Sequence, residues 1–405
     1  MAEIADTAMV RRASMNGAAE LRAPAASPGS GGLVPLVSVA SEFWHMLAER
    51  AVEPNGYYLP DWELAVDASA RGRIGAAALC AWGDATPARL IGLMPVVSMR
   101  RAYNIPLPAL VSADPYGSLC TPLLDRNNAE HAAWQIMQQA RQAGAHALIL
   151  QATSLDGPAM KAFREELRRD GLRPLVLESH LRACLDARRD AEETLRDALG
   201  AKKLKELRRQ RNRLAEHGAI SFEVARTPKE VAAAVETFLD LEAGGWKARR
   251  GTALRQHEGD AAFVRRATST LAETGQCEIV SLRAGDTAVA AAIVLRHLDR
   301  AFYFKLGVDE RFAKWSPGVQ LTLDLTRHLC ADPAIASADS TASPDHPMIN
   351  PIWRGRLAIG DVLIPLRRND PVVPLIRASL AMREMAREPA RRAVHFIRKF
   401  REKSS

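Results

Sequence analysis

Two short stretches in the second half of this 405-residue chain carry residue types and spacing that could do chemistry. In the first, Ser316-Pro317-Gly318, a capping residue precedes a helix-starting proline and a glycine. The N–H groups of a first helical turn have no acceptor within the helix, and the helix dipole adds positive potential, so such a turn suits a phosphate or pyrophosphate. Arg311, Lys314 and Gln320 flank it and could add charge and hydrogen bonds to the same anion. In the second, Asp345-His346-Pro347, an imidazole that titrates near neutral pH stands beside a carboxylate, as a proton-transfer pair would. The same three residues also make a good turn, with Asp capping and Pro fixing the backbone. Glu242 and Asp339 are the other carboxylates placed to act as a base. Glu242, with Trp246 and Lys247 at i+4 and i+5, either lines an acceptor cleft or ends its helix in a packed, ion-paired face. Trp353 and Asp361 flank the same region or, more simply, are a core aromatic and a loop acid.

The elements that must position these residues follow from apolar periodicity. After Gly218 the order is a strand at 220–225, a helix from Pro228 to Lys247, and a second helix from Asp260 to Glu273. Three strands then form a meander through turns at Gly285-Asp286 and Asp299-Arg300. The helix opened by Ser316 comes next, then strands near 334–340 and 357–366. In the first half, residues 41–52 and 130–143 read as helices, and residues 76–82, 90–99 and 146–152 as strands. A helical stretch from Asp190 to His217, with Gly200 as its break, joins the halves; Leu204, Leu207 and Leu214 form its apolar stripe under a coat of Lys and Arg. That coat is either a solvated face or a surface for phosphate or RNA.

A weak internal repeat links the halves. Gly83-Asp84 matches Gly285-Asp286 as a hairpin turn, and Thr153 to Met160 resembles Thr341 to Met348, each after a strand. The expected organisation is a leader at 1–32, an α/β domain at 33–186, a second at 187–370 and a basic amphipathic tail at 371–405. The leader is rich in Ala, Ser, Gly and Pro and lacks a signal-peptide core. No apolar run reaches the ~20 residues that span a bilayer, and five widely separated cysteines argue against both a disulfide framework and a zinc site. A cytoplasmic protein is expected. Its net charge of +8 favours anionic partners, and the tail leaves two readings: packing on the domain, or docking peripherally on the inner membrane's acidic surface.

Residues 202–366 resemble the GNAT-like acetyltransferase domain of the CelD/BcsL cellulose-biosynthesis family and, more distantly, Fem-type peptidyltransferases. The pieces that carry this are Lys205 to Leu214, Leu241-Glu242 with Gly245-Trp246-Lys247, Gly285-Asp286 with Ala290 to Leu295, Phe302-Tyr303-Phe304, and Ser316-Pro317-Gly318. The resemblance implies an α/β (α+β) GNAT fold, here two tandem GNAT-like domains with a mixed central sheet flanked by helices. It further implies direct transfer of an acyl group from acetyl-CoA or another acyl-CoA, without metal, to an amine or hydroxyl on a small molecule or saccharide. Leu306 would then supply an oxyanion N–H, and Tyr303, Trp246, Lys247 and Trp353 would meet the acceptor. The sequence departs from that superfamily's usual phosphate loop, with one late glycine between Arg311 and Gly318. A different acyl carrier, an aminoacyl-tRNA held by the basic helix, or a non-catalytic binding protein are the alternatives.

Overall fold

The computed structural model describes residues 33–83, 88–244, 251 and 253–386. The first half runs β1 (Val34–Pro35), α1 (Ser41–Glu49), α2 (Pro60–Ser69), β2 (Ala77–Gly83), β3 (Arg89–Ser98), α3 (Met99–Tyr103), β4 (Ala109–Ser112), β5 (Leu123–Leu124), α4 (Ala129–Gln142), β6 (Ala147–Ser154), α5 (Pro158–Arg169) and β7 (Leu175–Asp186). The second runs α6 (Ala191–Leu214), β8 (Ile220–Ala225), α7 (Pro228–Ala243), α8 (Glu258–Glu273), β9 (Cys277–Ala284), β10 (Thr287–His297), β11 (Arg300–Val308), α9 (Pro317–Cys330), β12 (Ser337–Asp339) and β13 (Gly355–Pro365). A last helix, α10, is described over 372–386.

Each half repeats one plan: a strand, two helices, three antiparallel strands, a helix, and a strand parallel to the third. The parallel pairs are β4 with β6 and β11 with β12. All strands join one sheet in the order β1-β2-β3-β4-β6-β13-β7-β12-β11-β10-β9-β8, with β5 beside β3. The final strands are exchanged. β7 pairs with β12 of the second half, β13 pairs with β6 of the first, and the two pair with each other along the middle. A cut between residues 186 and 187, where the sequence divides, would leave each exchanged strand in the other half's sheet.

The core follows the same fusion. On one face of the sheet, α1 and α2 share a single apolar cluster with α7 and α8, built around Trp44, Tyr57, Trp62, Phe238, Phe263 and Phe302. Trp62 meets Phe263 edge-on at 5.0 Å across the boundary between the halves. Trp353 is fully buried in the cluster under α9 and donates its indole N–H to Thr326 at 2.9 Å, a core residue away from solvent. Gly200 has φ 71° and ψ 161° and kinks α6 where the sequence places a break. Among the described residues no helix is long and apolar enough to cross a membrane.

Candidate functional site

The parallel pairing of β11 with β12 is short: Arg300 faces Ser337, Ala301 faces Ala338, Phe302 faces Asp339, and β12 ends there while β11 continues to Val308. On its other side β11 carries an extra residue against β10. Lys305 lies opposite Ile293 and Tyr303 opposite Val294, so Phe304 is a bulge that bends and twists the strand. Thr341 Oγ1 donates to the Tyr303 carbonyl at 2.6 Å, a stitch at the point of divergence. A cleft of about 290 Å³ opens between Tyr303–Leu306 and Val308 on β11 and Ser340–Ala342, His346, Met348 and Ile349 on the chain after β12.

The root of this cleft is held by a residue from the first half. Arg182, on the exchanged strand β7, donates to Asp339 Oδ2 at 2.6 Å and to the Ser118 carbonyl at 2.6 Å, and both charged side chains are buried. Asp339 Oδ1 accepts the Thr341 N–H at 2.8 Å. Both oxygens of Asp339 are therefore engaged in holding the turn that forms one wall, which makes it an anchor of the cleft.

Glu242 stands in the last turn of α7 with 1% exposure. Its Oε2 accepts the Leu254 N–H at 2.8 Å, and its Oε1 lies 3.7 Å from the Lys305 ammonium. Lys305 projects from the cleft-lining part of β11, and its side chain keeps a quarter of its exposure. It lies 5.6 Å from the ring of Tyr116, a first-half residue whose hydroxyl donates to Asp260 at 3.1 Å. Burial raises the Tyr116 phenol pKa, with the Asp260 charge adding to the effect. Glu242, Lys305, Tyr116 and Asp260 thus form a charged seam where the halves meet. Sequence reading missed Lys305; a single lysine in the apolar strand Ala-Phe-Tyr-Phe-Lys-Leu-Gly-Val is the signal that marks it.

His346 lines the cleft, half-buried, while Asp345 is exposed with φ +58°. The Met348 and Ile349 N–H groups both point to His346 Nδ1, at 3.3 and 3.4 Å. An Nδ1 that accepts these bonds leaves the proton of the neutral ring on Nε2. Burial lowers the imidazole pKa, so at neutral pH His346 offers an N–H donor and no free basic nitrogen. Tyr303 also lines the cleft; its hydroxyl is buried within 3.3 Å of Thr322 Oγ1, and burial pushes the phenol pKa up to about 12.

The residues expected around a phosphate separate. Ser316 is the N-cap residue of α9 and Pro317 its first position, but Ser316 adopts φ +53° and its hydroxyl makes no capping bond. Gly318 touches the cleft: a Cβ there would lie 2.9 Å from Leu306 Cδ2, 3.2 Å from Val308 Cγ1 and 3.5 Å from Met348 Sδ. Gln320 turns inward and donates to the Leu207 carbonyl at 2.9 Å, tying α9 to α6. Arg311 is exposed and clasped by Asp309, and it borders a separate hollow beside α7; Lys314 lies over the Trp315 ring at 4.1 Å. Trp246 and Lys247 fall outside the described residues. Among the described residues no group of three or more His, Cys, Asp or Glu is placed to hold a metal.

Residues 201–345 match the family described as an acetyltransferase (GNAT) domain. No curated protein matches the chain. Among solved structures, FemX is similar over 84% of this chain and 98% of its own, with TM-score 0.55 and 10% identity. The C-terminal domain (DUF2156) of an Agrobacterium fabrum protein described as a lysylphosphatidylglycerol synthetase is similar over 84% of this chain and 95% of its own, with TM-score 0.52 and 15% identity. A conserved Bacteroides thetaiotaomicron protein of unknown function follows, with TM-score 0.50 and 11% identity over 80% of this chain and 98% of that one. The chain has a GNAT fold, a mixed sheet flanked by helices, and the match to the acetyltransferase (GNAT) domain model lies in its second half.

Proposed function

We propose that this protein is an acyltransferase that moves an acyl group from an acyl-CoA, lodged between β11 and the chain after β12, to an amine or hydroxyl acceptor. The observation that carries the reading is the divergence of β11 from β12 beyond Phe302, with the Phe304 bulge and Gly318 of the α9 start at the resulting cleft. An acyl thioester needs a narrow slot with backbone groups along it, and a cleft of about 290 Å³ walled by Tyr303, Phe304, Leu306, Val308 and Met348 fits the thin acyl-pantetheine arm. In this reading the first-turn N–H groups of α9, next to Gly318, receive the pyrophosphate.

Transfer forms a bond from the acceptor nitrogen or oxygen to the carbonyl carbon and breaks the carbon–sulfur bond. Glu242 accepts the proton the nucleophile loses, and Lys305, whose ammonium lies 3.7 Å from it, offers a proton toward the departing thiolate. A backbone N–H of β11 near Leu306 and the Nε2–H of His346 are the donors for the oxyanion that forms between these events. The resemblance of residues 202–366 to the cellulose-biosynthesis acetyltransferases favours a saccharide or another cell-envelope hydroxyl or amine as acceptor.

The test is calorimetric titration of the purified chain with acetyl-CoA. Saturable heat with one site per chain is expected; no heat up to millimolar ligand removes the acyl-CoA reading. A second reading, an aminoacyl-tRNA donor as in the Fem-type likeness, draws on Lys202, Lys205, Arg208, Arg209 and Arg213, all exposed on α6. RNase treatment that abolishes transfer would select it over the first.

A further inference from the structure

Helix α10 breaks the rule that a surface helix turns its polar side to water. Its inner face buries Val373 and Ile376 against Val111, Ile149 and Leu363 of the first half's sheet. Its outer face is apolar as well. Leu375, Met382 and Met385 are 58%, 66% and 65% exposed, and Ala378 and Ala381, also exposed, fill the gaps between them. Positions i, i+3, i+7 and i+10 fall on one stripe, which at 1.5 Å per residue runs about 15 Å. Arg377 is the single charged residue among the exposed positions of 374–386.

The next residues in the chain change character. Residues 387–405 hold seven Lys or Arg against two Glu, with Val394, Ile397 and Phe400 at helical spacing. An apolar stripe followed directly by a cationic segment with its own apolar positions asks for a partner that is apolar inside and negative at its surface. A protein patch of ordinary composition satisfies the stripe and leaves the excess charge unmatched, and a soluble polyanion does the reverse. We infer that α10 docks the protein on an anionic lipid bilayer, with Leu375, Met382 and Met385 entering the interface, and that the basic composition of the sequence after it selects an acidic surface.

The experiment is co-sedimentation of the full chain with vesicles of mixed phosphatidylcholine and phosphatidylglycerol, against phosphatidylcholine alone. Binding to the mixed vesicles only, weakened at least tenfold by Leu375→Ser/Met382→Ser/Met385→Ser and by raised salt, is the expected result. An unchanged melting temperature of the triple variant, whose three positions are exposed, shows that folding is not the cause. Equal binding by the triple variant, or none by the parent, overturns the inference. So does a parent that sediments as a dimer, ignores vesicles and becomes monomeric on the triple substitution, because a second copy then covers the stripe.

Discussion

At the scale of single residues, the proposed chemistry rests on Glu242 and Gly318. Glu242→Gln keeps an acceptor for the Leu254 N–H and removes the basic carboxylate. Acetyl-CoA affinity should be unchanged while thiol release in the presence of amine or hydroxyl acceptors falls about 10²–10⁴-fold, the usual worth of a positioned base; equal loss of affinity and turnover would assign Glu242 to binding alone. Gly318→Ala should fold, since the nearest atom to the new Cβ is the movable end of Leu306, yet it pushes that side chain toward the cleft. Acetyl-CoA should bind about tenfold more weakly by calorimetry, and parent-like affinity would place the donor elsewhere. Glu242 and Gly318 could be singled out in the sequence because helix ends and turn glycines are local features. The inward turn of Gln320 and the engagement of Asp339 could not be, because their partners, Leu207 and Arg182, lie 113 and 157 residues away.

At the scale of elements, the exchanged strand β7 decides whether the site exists. Arg182→Met leaves Asp339 as a buried carboxylate without its cation, which should lower stability in urea by about 3–5 kcal/mol. Arg182→Met/Asp339→Asn should recover part of that loss, because no uncompensated charge remains; a single-variant loss below about 1 kcal/mol would show that the pair does not anchor the cleft. Most other strands and helices were readable from periodicity. Strand β7 was not, since Val176, Glu178, Ser179 and Leu181 are exposed while Arg182, Ala183 and Leu185 are buried, so burial neither alternates nor stays continuous. A strand that passes from the open middle of a sheet into the second half's core has no single sequence period.

At the scale of the whole molecule, the halves are joined by a titratable contact. His297, at the end of β10, accepts the Asn55 N–H on Nδ1 at 2.8 Å and lies 2.9 Å from the Ala48 carbonyl through Nε2, so it is held neutral. Burial lowers its pKa to about 4. The unfolded chain, with an ordinary pKa near 6.5, binds more protons between those values, so stability is full above about pH 6.5 and is lost as pH falls toward 4, by up to about 3 kcal/mol. Urea denaturation at pH 7 and pH 4.5 should show this fall in the parent and a smaller one in His297→Gln; an equal fall in both would assign the acid sensitivity to other groups. The sequence by itself determined the order of elements in the second half, the outline of a repeated plan and the start of α9, because periodicity, caps and turn residues act over a few positions. Only the tertiary structure decided that the final strands cross between halves, that Arg182 of one half anchors the cleft of the other while Tyr116 stands beside Lys305, and that Arg311 and Gln320 point away from it. Those outcomes depend on which distant surfaces pack together, and no local pattern of residue types encodes that choice.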